Sequence, residues 1–151
     1  MAQKNVLVAL FAAALNCTAY CAYAHDSKII SQVCGEEEGP KVVCGKASYY
    51  GGKKFEGRQT ANGEIFTSSG FTAAVPQKMK HLLGYFAHVV NPDNGASVVV
   101  RITDTGTFKH PLDLTFRAFS SLLDKGDNPK DIGKIEVKVM FARHPDHFPQ
   151  H

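Results

Sequence analysis

The chain has 151 residues, with 17 Lys and Arg against 14 Asp and Glu, and its formal net charge is +3 at pH 7. This length predicts one domain of ordinary size. So small a positive excess does not indicate a nucleic-acid binder, because such proteins cluster Lys and Arg on one face. No apolar run reaches the roughly 20 residues that a membrane-spanning helix needs, so no stable membrane span is expected.

Residues 1–24 have the three parts of a secretory signal peptide. Lys4 gives a positive start, residues 6–15 form a short apolar run, and Ala22-Tyr23-Ala24 is a small-x-small cleavage site. We therefore expect cleavage after Ala24 and export to the periplasm or the extracellular space.

Two of the four cysteines, Cys17 and Cys21, leave with the signal peptide. Neither follows the small residue of a lipoprotein cleavage box, so a lipid anchor is not expected. The remaining pair, Cys34 and Cys44, favours a disulfide in an exported protein. The alternative is a metal site, but no His or third Cys stands near them at zinc-ligand spacing.

Breaker-rich ends flank the expected domain. Residues 25–41 include Glu36-Glu37-Glu38-Gly39-Pro40 and predict a mobile leader, and residues 144–151 predict a disordered tail. Between them, residues 42–143 form the expected domain.

Short apolar or alternating runs recur through this domain. Strands are predicted at 42–50, 71–75, 85–91, 97–103, 112–114 and 135–141. A helix is predicted at 115–123, with Thr115 as its N-cap and apolar residues at helical spacing. Several short strands with one helix favour a small closed barrel, because closure removes exposed sheet edges.

Residues 98–108 carry the most informative acid. The β-branched run Val98, Val99, Val100 and Ile102 predicts a strand buried on both faces, and Asp104 follows where Gly106 permits a turn. An acid at a strand end is held rigidly and can still face a cleft. The alternative is that Asp104 only accepts hydrogen bonds from the amides of its own turn.

Taken in order, these segments resemble the RlpA family of exported double-psi β-barrel proteins, which is related to the barrel domain of expansins. The matching stretches are residues 45–51, 55–66, 72–74, 97–102 and 112–114, together with Asn91, Asn94, Gly95, Asp104, Gly106 and Phe108. The resemblance is collinear from Gly45 to Phe141. It implies a mostly β fold, a small six-stranded double-psi β-barrel with one or two short helices.

The resemblance also implies a lytic transglycosylase that cleaves peptidoglycan glycan strands. In that chemistry one acid protonates the glycosidic oxygen, and its carboxylate then assists attack by the sugar's own 6-hydroxyl. The matching positions make Asp104 and Glu64 the catalytic candidates, and no cofactor or metal is implied. Relatives usually have a groove histidine where this chain has Val75 and an arginine where it has Thr105. We therefore expect weak or absent cleavage with retained glycan binding.

Four further residues are candidates for substrate binding. Tyr49 and Tyr50 offer aromatic faces for sugar rings, Thr105 adjoins Asp104, and His110 is the candidate substitute for the missing histidine. Asp113 lies in an apolar run, where an acid must be paired or hydrogen-bonded, and is expected to be structural.

Two alternatives are left open. The first is a non-catalytic glycan-binding or wall-loosening module of the expansin type. The second, less favoured, is an aspartic protease built around Asp104-Thr105-Gly106. Such a protease needs two of these acids to share a proton, and the tripeptide occurs once in this chain, so a homodimer would be required. A monomer is expected, and the identity of any protein partner in the cell envelope is left open.

Overall fold

The computed structural model describes residues 41–148, and six strands dominate this part of the chain. The strands are β1 (Lys41–Tyr50), β2 (Thr72–Pro76), β3 (Phe86–Val90), β4 (Ser97–Gly106), β5 (Leu112–Thr115) and β6 (Lys134–Ala142). The short helices are α1 (Phe116–Ser120) and α2 (Pro129–Ile132), with 3₁₀ helices at Gln77–Leu82 and Pro145–His147. Each predicted strand is present, with ends that differ by one to three residues.

The strands close into a barrel in the order β1-β5-β2-β4-β3-β6. Two neighbouring pairs, β1 with β5 and β2 with β4, are parallel, and the other four pairs are antiparallel. Because parallel neighbours cannot be joined by a hairpin, long connections must cross the barrel. The prediction of a mostly β, six-stranded double-psi β-barrel with short helices is confirmed.

The barrel interior is filled by small and branched apolar side chains from every strand. Its fully buried members include Ala47, Ala73, Val75, Val89, Ile102, Leu112, Leu114 and Val139. Phe119 of α1 joins the same core. Since every strand alternates inward and outward residues, each also carries a set of side chains on the outer surface.

The strand β4 differs from its prediction in length and in burial. It continues through Asp104 to Gly106, so Asp104 lies within a strand and not on the turn. Its first half is not buried on both faces, because Val99 is 40% exposed and Arg101 is exposed. A closed barrel has one dry face, and Val99 and Arg101 lie on the other.

A β-bulge at Thr103 sets the direction of Asp104. Ala73 of β2 pairs with Ile102, and the next residue, Ala74, pairs with Asp104, so Thr103 is the extra residue. Strict alternation from the inward-facing Ile102 would point Asp104 into the core. The bulge instead places Asp104 on the outer surface.

The helix α1 ends three residues before its predicted end at residue 123, and its first turn is not capped as expected. Thr115 occupies the N-cap position but makes no side-chain cap hydrogen bond. Its hydroxyl donates to the Gly70 carbonyl at 2.6 Å, because Gly70, in the connection between β1 and β2, lies beside the start of the helix.

The ends of the chain give a mixed outcome. Residues 144–148 differ from the predicted disordered tail, since Pro145–His147 is a 3₁₀ helix and Phe148 is buried beside the His88 ring. The signal peptide, almost all of the leader and Cys34 lie outside the described residues. The Cys34–Cys44 disulfide therefore stays a prediction.

Candidate functional site

One row of residues crosses five strands of the barrel. Ser48 on β1 is paired with Lys134 on β6 and with Asp113 on β5. Ala74 on β2 is paired with Asp113 and also with Asp104 on β4. Directly paired residues point to the same face of a sheet, and here that face is the outer one. We call these five residues the site row.

Two strand spacings separate Asp104 from Asp113 within the site row. This corresponds to roughly 10 Å between their backbones, because neighbouring strands lie about 4.8 Å apart. Only the small side chain of Ala74 stands between them in the row. The outer surface therefore presents two carboxyl groups toward the same space.

Asp113 has the more enclosed of the two carboxyl groups. The Ser48 hydroxyl donates to Asp113 Oδ1 at 2.6 Å, and the same hydroxyl oxygen lies 2.6 Å from His110 Nε2. His110 Nε2 is 3.9 Å from Asp113 Oδ1, and both side chains are less than one-fifth exposed. Ser48 thus links an imidazole to a carboxyl group.

Burial shifts both ionisable members of this link toward their neutral forms. It raises the pKa of Asp113 above its ordinary value, against the opposing effects of the Ser48 hydrogen bond and of the His110 and Lys134 charges. It also lowers the pKa of His110, an effect that Asp113 opposes and Lys134 reinforces. Asp113 is therefore better suited than an ordinary aspartate to hold a proton near neutral pH.

Asp104 is held by backbone amides. Its Oδ1 accepts hydrogen bonds from the amide of Thr105 at 2.9 Å and from the amide of Ala61 at 3.1 Å. The Thr105 contact is the local one that the sequence left open. The Ala61 contact comes from the connection between β1 and β2, so tertiary structure fixes this carboxylate as well.

Glu64 is carried on the same connection. The Asn62 amide donates to the Thr103 carbonyl at 3.0 Å and so fastens this loop to the bulge in β4. Glu64 Oε1 accepts from Asn62 Nδ2 at 2.8 Å and lies 3.0 Å from Arg101 Nη1, and its side chain is 40% exposed. Glu64 is thus the acidic partner of an ion pair on the surface.

Tyr50 places a phenol near both carboxyl groups of the site row. Its ring lies 4.9 Å from Phe66 and 5.9 Å from Phe55, measured between centroids. Burial, and then the charges of Asp104 and Asp113, raise the pKa of Tyr50, so its hydroxyl stays protonated. Within residues 41–148 this buried hydroxyl has no hydrogen-bond partner.

Tyr49 points away from the site row. Its ring contacts Phe116 at 5.5 Å and Phe119 at 5.0 Å, on the side of β1 opposite Ser48. The structure thus does not bring this predicted sugar-binding residue to the row. Thr105 does adjoin it, and its hydroxyl accepts a hydrogen bond from Gln77 Nε2 at 3.0 Å.

Val75 is a core residue. It is 0% exposed and belongs to the buried apolar cluster of the barrel. The expectation that this position lines a groove is therefore wrong for this chain. The alternation on β2 explains it, since Ala74 points outward to the site row and Val75 points inward.

The sequence interpretation missed the chemistry of Ser48 and Asp113. Ser48 lies between two apolar or aromatic residues and carries no signal of its own. Asp113 did carry one, because it stands between Leu112 and Leu114, which are both fully buried. Its expected structural role is compatible with the Ser48 contact, but its outward position and raised pKa also suit proton transfer.

A cavity of about 370 Å³ lies at the end of the site row. Its walls include Lys46, Asn91, Asp93, Asn94, Asp124, Asp127, Lys134 and Glu136, and of the site row it contains Lys134 alone. Within the described part of the chain, no group of three or more His, Cys, Asp or Glu is arranged to hold a metal ion. No helix between residues 41 and 148 has the length and apolar character to cross a membrane.

The fold and the site row define a double-psi β-barrel that bears carboxyl groups on its outer surface. The family described as "Lytic transglycolase" matches residues 42–139, and the chain belongs to this family. The predicted resemblance to RlpA proteins is thereby confirmed.

Two curated relatives carry the name endolytic peptidoglycan transglycosylase RlpA. The Pseudomonas aeruginosa protein is 46% identical over 99 residues, which are 64% of this chain and 26% of that protein. The Haemophilus influenzae protein is 36% identical over 110 residues, which are 72% of this chain and 36% of that protein. The match thus spans about a quarter to a third of the relatives' length.

Two solved structures share the fold. The Streptomyces papain inhibitor has a TM-score of 0.53 and 23% identity, and the match covers 68% of this chain and 94% of that one. The Clavibacter michiganensis expansin has a TM-score of 0.54 and 23% identity, covering 69% of this chain and 52% of that one.

Proposed function

We propose that this domain cleaves the glycan strands of peptidoglycan as a lytic transglycosylase in the cell envelope, with Asp113 as its proton donor and acceptor. The names of the curated relatives support the substrate and the reaction. The observation that carries the residue assignment is the partly buried Asp113 carboxyl group on the outer face of the barrel, which accepts a hydrogen bond from Ser48 and has a raised pKa.

The chemistry needs one group that gives a proton and then takes one back. Protonated Asp113 donates its proton to the glycosidic oxygen, and the bond between that oxygen and the anomeric carbon breaks. The 6-hydroxyl oxygen of the same sugar then bonds to the anomeric carbon, and its proton passes to the Asp113 carboxylate. Asp113 returns to its protonated form and no water is consumed.

Asp104 retains a role in this proposal as the second carboxyl group. Its two backbone amide contacts fix its carboxyl group on the same outer surface as Asp113. A fixed negative charge there stabilises the positive charge that develops on the sugar ring in an oxocarbenium-like transition state. Glu64, paired with Arg101, contributes less and acts at the edge of the surface.

The test compares four variants by the release of anhydro-ended muropeptides from purified peptidoglycan. Asp113→Asn should lower the rate by about two to four orders of magnitude, the usual loss for a general acid. Asp104→Asn should lose about two orders of magnitude, and Glu64→Gln less than tenfold. The exposed Asp146→Asn, outside the cavity, is the matched control and should cleave like the native protein.

Binding is measured in parallel by co-sedimentation with peptidoglycan. Full cleavage by Asp113→Asn would contradict the assignment of Asp113. A native protein that pellets with peptidoglycan but releases no anhydro ends would instead establish the non-catalytic glycan-binding module. The departure at Thr105, which adjoins Asp104 in the site row, is what keeps that alternative in view.

Export follows from the same proposal, because peptidoglycan lies outside the cytoplasmic membrane. The proposed signal peptide at residues 1–24 would deliver the domain there, and an oxidising compartment would permit the Cys34–Cys44 disulfide.

A further inference from the structure

The segment between β4 and β5 is closely packed before and after His110 in the sequence. Phe108 stacks on His110, with ring centroids 4.7 Å apart and planes 23° from parallel. Phe108 in turn lies against Gly106, where an added Cβ would be 2.6 Å from its ring. On the other side of His110, Pro111 fits against Gly45, where an added Cβ would be 2.8 Å away.

The Ser48 hydroxyl determines what His110 must do. A serine hydroxyl has a single proton to donate, and here that proton goes to Asp113 Oδ1. The same hydroxyl oxygen lies 2.6 Å from His110 Nε2, and the roles in this contact depend on the tautomer of the ring. With the serine proton directed to Asp113, this contact is a hydrogen bond when Nε2 carries the ring hydrogen and donates to Ser48. The chain of donors thus runs from His110 through Ser48 to Asp113.

This direction of donation favours the ionised form of Asp113. Each contact that ends on a carboxylate stabilises its charge, and an imidazolium 3.9 Å away would stabilise it further. Burial acts in the opposite sense and favours the protonated acid. Lys134, paired with Ser48 across β1 and β6, also acts on both groups. The charge of Asp104 acts on Tyr50, as does that of Asp113.

We propose that His110 is a positioning residue that acts through the Ser48 hydroxyl to set the protonation state of Asp113. This rests on the proposed function only in that Asp113 is there the proton donor. Burial alone shifts Asp113 toward its protonated form. The His110–Ser48 link counteracts burial, so that the carboxyl group exchanges its proton readily in both directions.

The first measurement does not depend on cleavage. Selectively labelled protein is titrated by NMR, following the carboxyl carbon of Asp113 and both ring nitrogens of His110. In the native protein His110 should carry its hydrogen on Nε2 while it is neutral. In both His110→Gln and Ser48→Ala the Asp113 midpoint should move to higher pH, because a contact that favours the carboxylate has been removed. The exposed His81→Gln is the matched control and should leave the midpoint in place.

The second measurement is the pH profile of anhydro-muropeptide release. The loss of activity on the alkaline side should move to higher pH in His110→Gln and Ser48→Ala, and the maximal rate should fall by up to about 100-fold because the acid is less well oriented. Unchanged Asp113 midpoints in both variants, or a His110 ring with its hydrogen on Nδ1, would overturn the proposal. Moved midpoints with an unmoved activity profile would support the link while contradicting Asp113 as the proton donor.

Discussion

At the scale of single residues, the site depends on side chains that are positioned by glycines. The Phe108 ring occupies the place that a Cβ at position 106 would take, so this position requires glycine. Phe108 in turn stacks on His110. Glycine is needed here because the Phe108 ring approaches closely, and not because of the backbone conformation, since Gly106 does not have a positive φ angle. The backbone conformation at position 106 is therefore compatible with alanine, whereas the packing of the Phe108 ring is not.

Gly106→Ala should therefore impair the site more than the fold. The added methyl displaces the Phe108 ring and overpacks the segment, which costs about 1–3 kcal/mol of unfolding free energy. Displacement of His110 should reduce cleavage by a further 10- to 100-fold per folded molecule. Thermal melting and anhydro-muropeptide release measure the two effects.

A second substitution separates the steric clash with Phe108 from the loss of the Phe108 stack on His110. Phe108→Ala added to Gly106→Ala removes the clash, so the melting temperature should recover while activity stays low, since His110 has lost its stacking partner. Recovery of both stability and activity would show that the Phe108 stack has no part in positioning His110.

At the scale of elements, the two features that matter are the bulge in β4 and the alternation on β2. The bulge at Thr103 turns Asp104 outward, and the loop that carries Asn62 is fastened to the same residue. One irregularity in a strand thus directs an acid and anchors the connection that binds it. On β2, regular alternation sends Ala74 outward and Val75 into the core.

Val75→His should accordingly destabilise the barrel without restoring activity. An imidazole at a position that is 0% exposed must be buried without an evident partner, which costs about 1–3 kcal/mol or more. The melting temperature should fall clearly, and cleavage per folded molecule should not rise. Val99→His, on a side chain that is 40% exposed, is the matched control and should be tolerated. A stable Val75→His protein with faster cleavage would mean that this position reaches the glycan after all.

At the scale of the whole molecule, the site row exists only because the barrel is closed with parallel pairs. Ser48 is distant in sequence from Asp104 and Asp113. The three residues share one row because β5 lies between β1 and β2, and β4 lies beyond β2. The same closure buries Asp113, which imposes a cost on the fold whenever this carboxyl group is ionised.

The stability of the molecule should reflect that cost. The pKa of Asp113 is raised on folding, so the native state binds the proton more tightly than the unfolded state does. Stability from this group is then fully present below the ordinary pKa of aspartate and is lost as pH rises through the folded value. Asp113→Asn should therefore be at least as stable as the native protein at pH 7, and its advantage should shrink as the solution is made more acidic.

Thermal melting of both proteins between about pH 3 and pH 8 measures this difference. His110 contributes in the opposite sense, since its pKa is lowered on folding, so both proteins should lose stability from it on acidification. A lower melting temperature for Asp113→Asn at pH 7, with a gap that closes as the solution is made more acidic, would show that the Ser48 hydrogen bond outweighs burial.

Local sequence patterns were sufficient to predict the strands of the barrel. All six strands follow from β-branched or alternating runs bounded by glycine and polar clusters, and Asp104 stood out because such a run precedes it. The resemblance of short stretches to RlpA proteins then specified the closed form. These signals succeed because strand formation and core burial depend on residues close together in sequence.

Only the tertiary structure decided which side chains meet and which way they face. The bulge at Thr103, the inward direction of Val75 and the contact of Ser48 with both His110 and Asp113 have no local signature, because each depends on the register between strands distant in sequence. Proton affinity follows from those contacts and from burial, so it too is a property of the folded chain. The sequence alone determined the strands and the family, whereas strand register and burial decided where the chemistry of the site lies.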